Sequence, residues 1–213
     1  MPDPLITIKS IVAIFPEDNI DTDQIIPSRE IKSAARDGLS DGLFSNQRYQ
    51  TDKDRTPKSD FILNQRPFDN ATILVAGKNF GCGSSREHAV WALHEFGFRC
   101  LIARSFGEIF HANCINNGIA PIALAAEEMK ILEKALLCTP TASVSIDLQA
   151  QKISIDGPVR KTIKFSLNDV ERTRLLSGLD LIGLTQQLRS EIDRFISKDK
   201  QTRPWVYRAC KEA

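Results

Sequence analysis

Residues 77–88 read Gly-Lys-Asn-Phe-Gly-Cys-Gly-Ser-Ser-Arg-Glu-His, placing two hydroxyls, a thiol, a guanidinium, a carboxylate and an imidazole beside three glycines. Glycine opens backbone angles closed to other residues and lets main chain come close to a ligand. The run follows an apolar, β-branched stretch (71–76) and leads into a helix-forming one, so it lies where a strand ends and a helix begins. Free N–H groups and the positive end of the helix dipole favour an anion at such a place. The carboxyl ends of parallel strands are also where open α/β sheets hold ligands. Gly83, Ser84, Ser85 and Arg86 are therefore expected to build an anion-binding pocket.

A plainer reading competes. Ser84-Ser85-Arg86-Glu87 fits a capping box, with Ser84 as the cap and Glu87 reaching back to it. Nucleotide loops fit less well. A Walker loop needs a lysine just before its serine or threonine, and none stands there. The dinucleotide fingerprint needs a third glycine where Arg86 stands, and an acidic residue ending the second strand, where Arg104 stands. Cys82, near a helix N-terminus that lowers thiol pKa, is a possible nucleophile. His111 and Cys114 share a helical face, but one pair falls short of the three or four ligands of a metal site.

The elements needed to position this loop are legible on both sides of it. Residues 71–76, 99–104 and 119–124 read as strands buried on both faces. Helices are expected over 86–96, stopped by Gly97, and over 106–116, capped by Ser105. This βαβαβ order makes the strands parallel and the crossovers right-handed. Residues 11–15 form a further strand ended by Pro16, and 18–23 (Asp-Asn-Ile-Asp-Thr-Asp) a cluster of turn formers. From 32 to about 67 we expect a helical fragment and then a long surface loop. After a helix at 127–137, residues 142–148, 152–155 and 162–165 alternate as antiparallel strands do, with turns at 149–151 and 156–158. Asn168 caps a helix to 176, another helix spans about 185–196, and residues from about 199 to 213 form a polar tail. Trp91, Leu93 and Phe96 are expected in the core; His88 and His94 are expected on the helix surface or at an interface.

At 213 residues and roughly 150 residues per domain, the chain is expected to be a single domain with a tail. Lys plus Arg is 28 and Asp plus Glu is 27, a net charge of +1. That balance argues against broad capture of nucleic acid or anionic membrane. The longest apolar run, 119–126, is far short of the about 20 residues of a membrane span. The first residues carry no basic start or apolar signal core, so no secretory address is expected. The five cysteines, Cys82, Cys100, Cys114, Cys138 and Cys210, are dispersed, without the close pairs of disulfide scaffolds or zinc sites. A reducing, cytoplasmic setting is expected, with no iron–sulfur cluster held by this chain alone.

Three segments in order carry a resemblance: Asp21-Thr22-Asp23-Gln24-Ile25-Ile26-Pro27; Asn79 through Ala89 around Gly83-Ser84-Ser85-Arg86-Glu87-His88; and Ala103-Arg104-Ser105-Phe106-Gly107-Glu108-Ile109-Phe110. With Asp180-Leu181-Ile182-Gly183-Leu184-Thr185 they resemble the 3-isopropylmalate dehydratase small-subunit family of bacterial type. That family is the separate-chain form of the aconitase swivel domain, and the resemblance covers nearly the whole chain. It implies an α/β, layered β/β/α fold with a parallel βαβαβ core and additional antiparallel strands. Val90, where a proline is common, and Ser45-Asn46-Gln47-Arg48-Tyr49, near a family Asp-Trp-Arg-Phe, depart from the pattern.

The resemblance further implies a hydro-lyase, active with a large-subunit partner, that interconverts 2- and 3-isopropylmalate by dehydration and rehydration in leucine biosynthesis. The cofactor, a [4Fe–4S] cluster, is expected in the large subunit and none in this chain. Ser84 matches the family's base and Asp23 an acidic residue of the active site; as a plain residue, Asp23 could equally serve a turn. Gly83, Ser85 and Arg86 match positions that hold a substrate carboxylate. Arg29 and Arg36 are both candidates for the arginine that meets a further carboxylate. Related subunits acting on citraconate, (R)-2-methylmalate or homoaconitate, and a non-catalytic anion-binding module, remain alternatives.

Overall fold

A computed structural model describes residues 3–31, 36–51, 54–84, 86–157 and 161–207. Ser85, Pro158 and Cys210 lie outside the described residues. The chain divides into two compact units, Met1–Gly178 and Leu179–Ala213.

The first unit begins with strands β1 (Thr7–Ser10) and β2 (Val12–Phe15), then single helical turns α1 (Thr22–Ile25) and α2 (Ser45–Arg48). Strand β3 (Ile73–Ala76), helix α3 (Glu87–Phe96), β4 (Cys100–Ala103), α4 (Glu108–Asn116), β5 (Ala120–Ala123) and α5 (Ala126–Cys138) follow. Strands β6 (Val144–Asp147), β7 (Lys152–Ile155), β8 (Lys161–Lys164) and helix α6 (Asp169–Ser177) complete it. The strands form a parallel sheet ordered β2-β3-β4-β5 and an antiparallel sheet ordered β1-β6-β7-β8.

Strand alternation explains why the parallel strands read as continuous apolar runs. Ile73 and Val75 face one core with Ile102, Ile122 and, from the antiparallel sheet, Val144, Ile146, Ile153 and Ile155. Leu74 and Ala76 face the other core with Leu101, Ala89, Val90 and Leu93 of α3, and Phe110 and Cys114 of α4. The order is thus sheet, sheet, helices, the layering expected.

Several local expectations need correction. β1 leaves little trace in the sequence: only Ile8 of its four residues is buried, so its apolar signal is weak, and it gains its place by pairing with β6 at the edge of the antiparallel sheet. The stretch between 36 and 67 is more than a surface loop. Leu39, Leu43, Phe44 and Leu63 are buried in the second core, and the Glu95 carboxylate of α3 accepts the N–H groups of Gly38, Leu39 and Ser40 at 2.6, 2.6 and 2.8 Å. Ser105 does not cap α4, which starts at Glu108 after Gly107; its hydroxyl instead accepts from Asn79 N at 2.9 Å.

In the second unit, Asp180 caps α7 (Leu181–Gln187) by accepting Gly183 N at 2.6 Å, and α8 (Arg189–Thr202) follows. The expected tail is ordered through a 3-10 turn at Pro204–Tyr207. The buried Asp199 carboxylate holds it, accepting from Arg203 Nε at 2.7 Å and the Tyr207 hydroxyl at 2.9 Å. Among the described residues no helix is long and apolar enough to cross a membrane.

Candidate active site

The loop leaving β3 is stitched to the segment leaving β2, and that stitching builds the site. Asp18 accepts Lys78 N at 2.6 Å and takes both its carboxylate oxygens to Arg104 Nη2, at 3.0 and 2.8 Å. The hydrogen bonds from Lys78 N and Arg104 hold the Asp18 carboxyl below the usual carboxylate range. Asn79, with φ 59°, donates from Nδ2 to Asn19 Oδ1 at 2.9 Å. Phe80 N donates to Ser105 O at 3.0 Å and Gly107 N to Phe80 O at 2.9 Å, so the two βα loops are zipped together. Gly81 N donates to Ile20 O at 2.7 Å and Thr22 N to Cys82 O at 3.1 Å, tying the Asp21–Asp23 segment alongside. Gly81 has φ +72°, and a Cβ there would lie 2.1 Å from the Phe110 ring; the position admits no side chain.

This stitching brings Asp23 to Arg86. Asp21 caps α1: its side chain accepts from Asp23 N and Gln24 N at 2.9 and 2.7 Å, and Gln24 Oε1 returns to accept Asp21 N at 2.9 Å. The capping box of the site is therefore Asp21–Gln24. Asp23 is freed for contact across the loop, and its Oδ1 accepts from Arg86 Nη2 at 2.6 Å and from both the N–H and the hydroxyl of Ser28 at 3.2 Å. The Arg86 bond, followed by the Ser28 N–H, holds the Asp23 carboxyl below its ordinary range. Asp23 is thus ionised near neutral pH and positioned, not an idle turn residue.

Arg86 is the N-cap residue of α3, and its side chain makes no capping hydrogen bond to that helix. Ser84 and Gly83 are exposed just before it, Gly83 with φ +86°. The arrangement gathers an exposed hydroxyl, a guanidinium fixed by a carboxylate, and the uncapped N–H end of a ten-residue helix. Together these can hold a carboxylate and stabilise negative charge developing on an oxygen beside it.

Residues 3–127 match the aconitase C-terminal domain family. Over 190 residues the chain is 47% identical to a protein from Cupriavidus necator described as a 3-isopropylmalate dehydratase small subunit, covering 89% of this chain and 90% of that one. The chain belongs to the family of 3-isopropylmalate dehydratase small subunits. A member from Sinorhizobium fredii is 46% identical over 204 residues, covering 96% of this chain and all of its own length, 100%. The crystal structure of 3-isopropylmalate dehydratase from Methanocaldococcus jannaschii matches with a TM-score of 0.63 at 29% identity, covering 89% of this chain and 99% of that chain.

Within this small-subunit family fold, the remaining candidate residues sort by contact. Arg29 donates to Asn46 Oδ1 and Ser45 Oγ, at 2.5 and 3.5 Å, and its Nε lies 3.8 Å from Glu30 Oε1. Arg36 lies with its guanidinium 4.6 Å from the Trp91 ring centre, and the His88 ring packs edge-on against Trp91 with ring centres 4.7 Å apart. Cys82 donates to Asn19 O at 3.5 Å and serves the stitching. Leu93 is buried, while Trp91 and Phe96 are partly buried against the second core. Burial, then Arg99, lowers the His94 pKa. His111 faces Glu171 at 3.7 Å, and burial pushes the Cys114 thiol well up, so the two do not act as a ligand pair. Among the described residues no three His, Cys, Asp or Glu side chains gather as metal ligands.

Three participants were not singled out from sequence. Asp18 and Arg104 lie 86 residues apart, and no local pattern couples them. Ser28 stands five residues beyond Asp23 in the same segment, and its small polar side chain carries no spacing signal.

Proposed function

We propose that this chain is the small subunit of a heteromeric hydro-lyase of leucine biosynthesis, isomerising 2-isopropylmalate to 3-isopropylmalate by dehydration and rehydration with a large-subunit partner in the cytoplasm. The observation that carries this reading is the Arg86–Asp23 pair, held across the loop beside the exposed Ser84 in a chain of this family. A cation with its charge and plane already fixed is suited to grip one carboxylate of a hydroxy diacid.

Loss of water from such an acid needs a base for the proton beside the carboxylate. Ser84 supplies that base, its alkoxide oxygen taking the carbon-bound proton on dehydration, which makes it the hydroxyl, and returning that proton to carbon on rehydration. A serine hydroxyl is a weak base, so its alkoxide must be stabilised; the open N-terminus of α3 and Arg86 are the groups in place to do so. Gly83, Ser85 and Arg86 hold the substrate carboxylate, and Asp23 keeps Arg86 oriented and is the acidic group at the site. A [4Fe–4S] cluster on the large subunit would supply the Lewis acid for the departing hydroxyl.

The test is to purify the chain with its large subunit and measure hydration of isopropylmaleate, citraconate and cis-homoaconitate. Turnover of isopropylmaleate well above the other two is expected; preference for either of the others would reassign the substrate, and no hydration of any would return the chain to an anion-binding module. The chain alone should hold no stoichiometric iron and show no dehydratase activity. A stable cluster or turnover in the lone chain would overturn the two-subunit reading.

A further inference from the structure

Ser28 makes hydrogen bonds that its own turn does not require. It opens the 3-10 turn Ser28–Glu30, which closes through Glu30 N to Pro27 O at 2.9 Å and Ile31 N to Ser28 O at 3.1 Å; the hydroxyl takes part in neither. Instead that hydroxyl donates to Asp23 Oδ1 at 3.2 Å and accepts from Arg86 Nη1. With the 2.6 Å bond from Arg86 Nη2 to the same Asp23 oxygen, the three side chains close a ring. The two accepting oxygens, Ser28 Oγ and Asp23 Oδ1, are 3.2 Å apart. Two acceptors so spaced, one on each terminal nitrogen, fit the parallel N–H bonds at the head of a guanidinium. Nε of Arg86 is buried and has no hydrogen-bond partner among the described residues, so the bonds of this guanidinium are made by its two terminal nitrogens.

We propose that Ser28 is a positioning residue: with Asp23 it holds both terminal nitrogens of Arg86 and so fixes the plane in which that guanidinium meets the substrate carboxylate. A lone Asp23 could swing the guanidinium through several single-bonded poses, whereas two acceptors on two nitrogens fix its plane. The ring also sets the direction of the serine proton. Ser28 gives its hydrogen to the carboxylate and its lone pair to the cation. The role rests on the proposed function for its kinetic consequence, while the ring itself does not.

The experiment therefore has two readouts. In the reconstituted complex, Ser28→Ala should raise KM for isopropylmalate by about three- to tenfold, the span of one lost hydrogen bond, with kcat changed far less. Ser28→Thr, which keeps the hydroxyl, should restore KM. In the full-length small subunit alone, the side-chain ¹⁵N spectrum should show distinct Arg86 Nη1 and Nη2 signals in the wild type and Ser28→Thr, averaged by rotation in Ser28→Ala. Unchanged Arg86 signals in Ser28→Ala overturn the positioning role whatever the substrate proves to be. Unchanged KM with the spectrum altered overturns its bearing on substrate binding, and a loss in kcat alone would make Ser28 part of the chemical step. A wild-type complex that keeps the Arg86 spectrum but does not turn over isopropylmalate would instead defeat the functional reading and leave the ring standing.

Discussion

The Glu87 carboxylate accepts from Asn117 Nδ2 at 2.9 Å and is turned toward the end of α4, not back toward Ser84. The capping box written into Ser84-Ser85-Arg86-Glu87 is therefore not formed, and α3 begins one residue after Arg86 with no side-chain cap. Ser84 is left exposed, two residues before the N-cap position that Arg86 occupies.

That separation yields a prediction on Ser84. Removing a cap serine weakens a protein by about 1 kcal/mol, whereas an exposed residue off such a feature changes stability by less than about 0.5 kcal/mol. Ser84→Ala should fall in the second class by denaturant titration. In the reconstituted complex its turnover should drop by about 10²–10⁴-fold, the scale of a lost general base. A destabilised variant with near-normal turnover would make the serine structural.

The glycines of the loop should separate by what surrounds them. Gly81→Ala puts a methyl 2.1 Å from a Phe110 ring atom at φ +72°. Overpacking and left-handed strain together should destabilise by roughly 2–4 kcal/mol. At Gly83 the nearest atom to an added Cβ is Asp21 Cβ at an ordinary 3.4 Å, so only the φ of +86° resists. Gly83→Ala should then lose about 1–2 kcal/mol. Melting curves of the two variants check the order; equal losses would mean the Phe110 contact yields freely.

Much of this arrangement was legible in the sequence because its signals are local. Residues 71–76 alternate between two cores, and a strand apolar on both faces reads as one unbroken run. Gly97, with φ +120°, ends α3 where its lack of a side chain says it should. Ser84 and Arg86 stand out from the glycine-rich loop at a strand–helix junction, whereas Asp23 is marked only by the family motif that contains it. What sequence could not reveal is pairing across distance. Ser105 looks like a cap because it stands directly before the helical pattern of 106–116, yet the helix starts only at Glu108 and the Ser105 hydroxyl is drawn to Asn79, 26 residues upstream. Leu39, Leu43 and Phe44 sit in a polar text that reads as loop, and only their burial against α3 exposes them as core.

Acid should loosen the stitching at Asp18. Its folded carboxyl titrates below the ordinary value of 3.8, chiefly through the bond from Lys78 N and then Arg104. A lowered folded pKa contributes stability that is present above the unfolded value and is lost as pH falls through the folded one. Asp18→Asn removes the charge and the titration. Its melting temperature should lie below wild type at neutral pH, and the two curves should converge as pH falls below about 4, in line with carboxylate linkage. A constant gap between them down to strong acid would show that Asp18 acts by shape alone.

Arg86 is the residue through which Asp23, Ser28 and the open end of α3 act together, and its planar fork is the property they use. Its terminal nitrogens reach two different acceptors, Asp23 Oδ1 at 2.6 Å and Ser28 Oγ. Lysine keeps the charge but presents one strongly hydrated point in place of a plane. Arg86→Lys should therefore retain Asp23 as a partner, keep the fold by circular dichroism, and lose the carboxylate grip. A charge-assisted hydrogen bond lost at the substrate corresponds to about 10- to 100-fold in kcat/KM. Steady-state kinetics of the reconstituted complex measure it. Because Arg86 also steadies the Ser84 alkoxide in the proposed chemistry, the loss should appear in kcat as well as KM, which sets this variant apart from Ser28→Ala. Wild-type kinetics for Arg86→Lys would reduce Arg86 to a charge at the start of a helix and leave the carboxylate without its recognised partner.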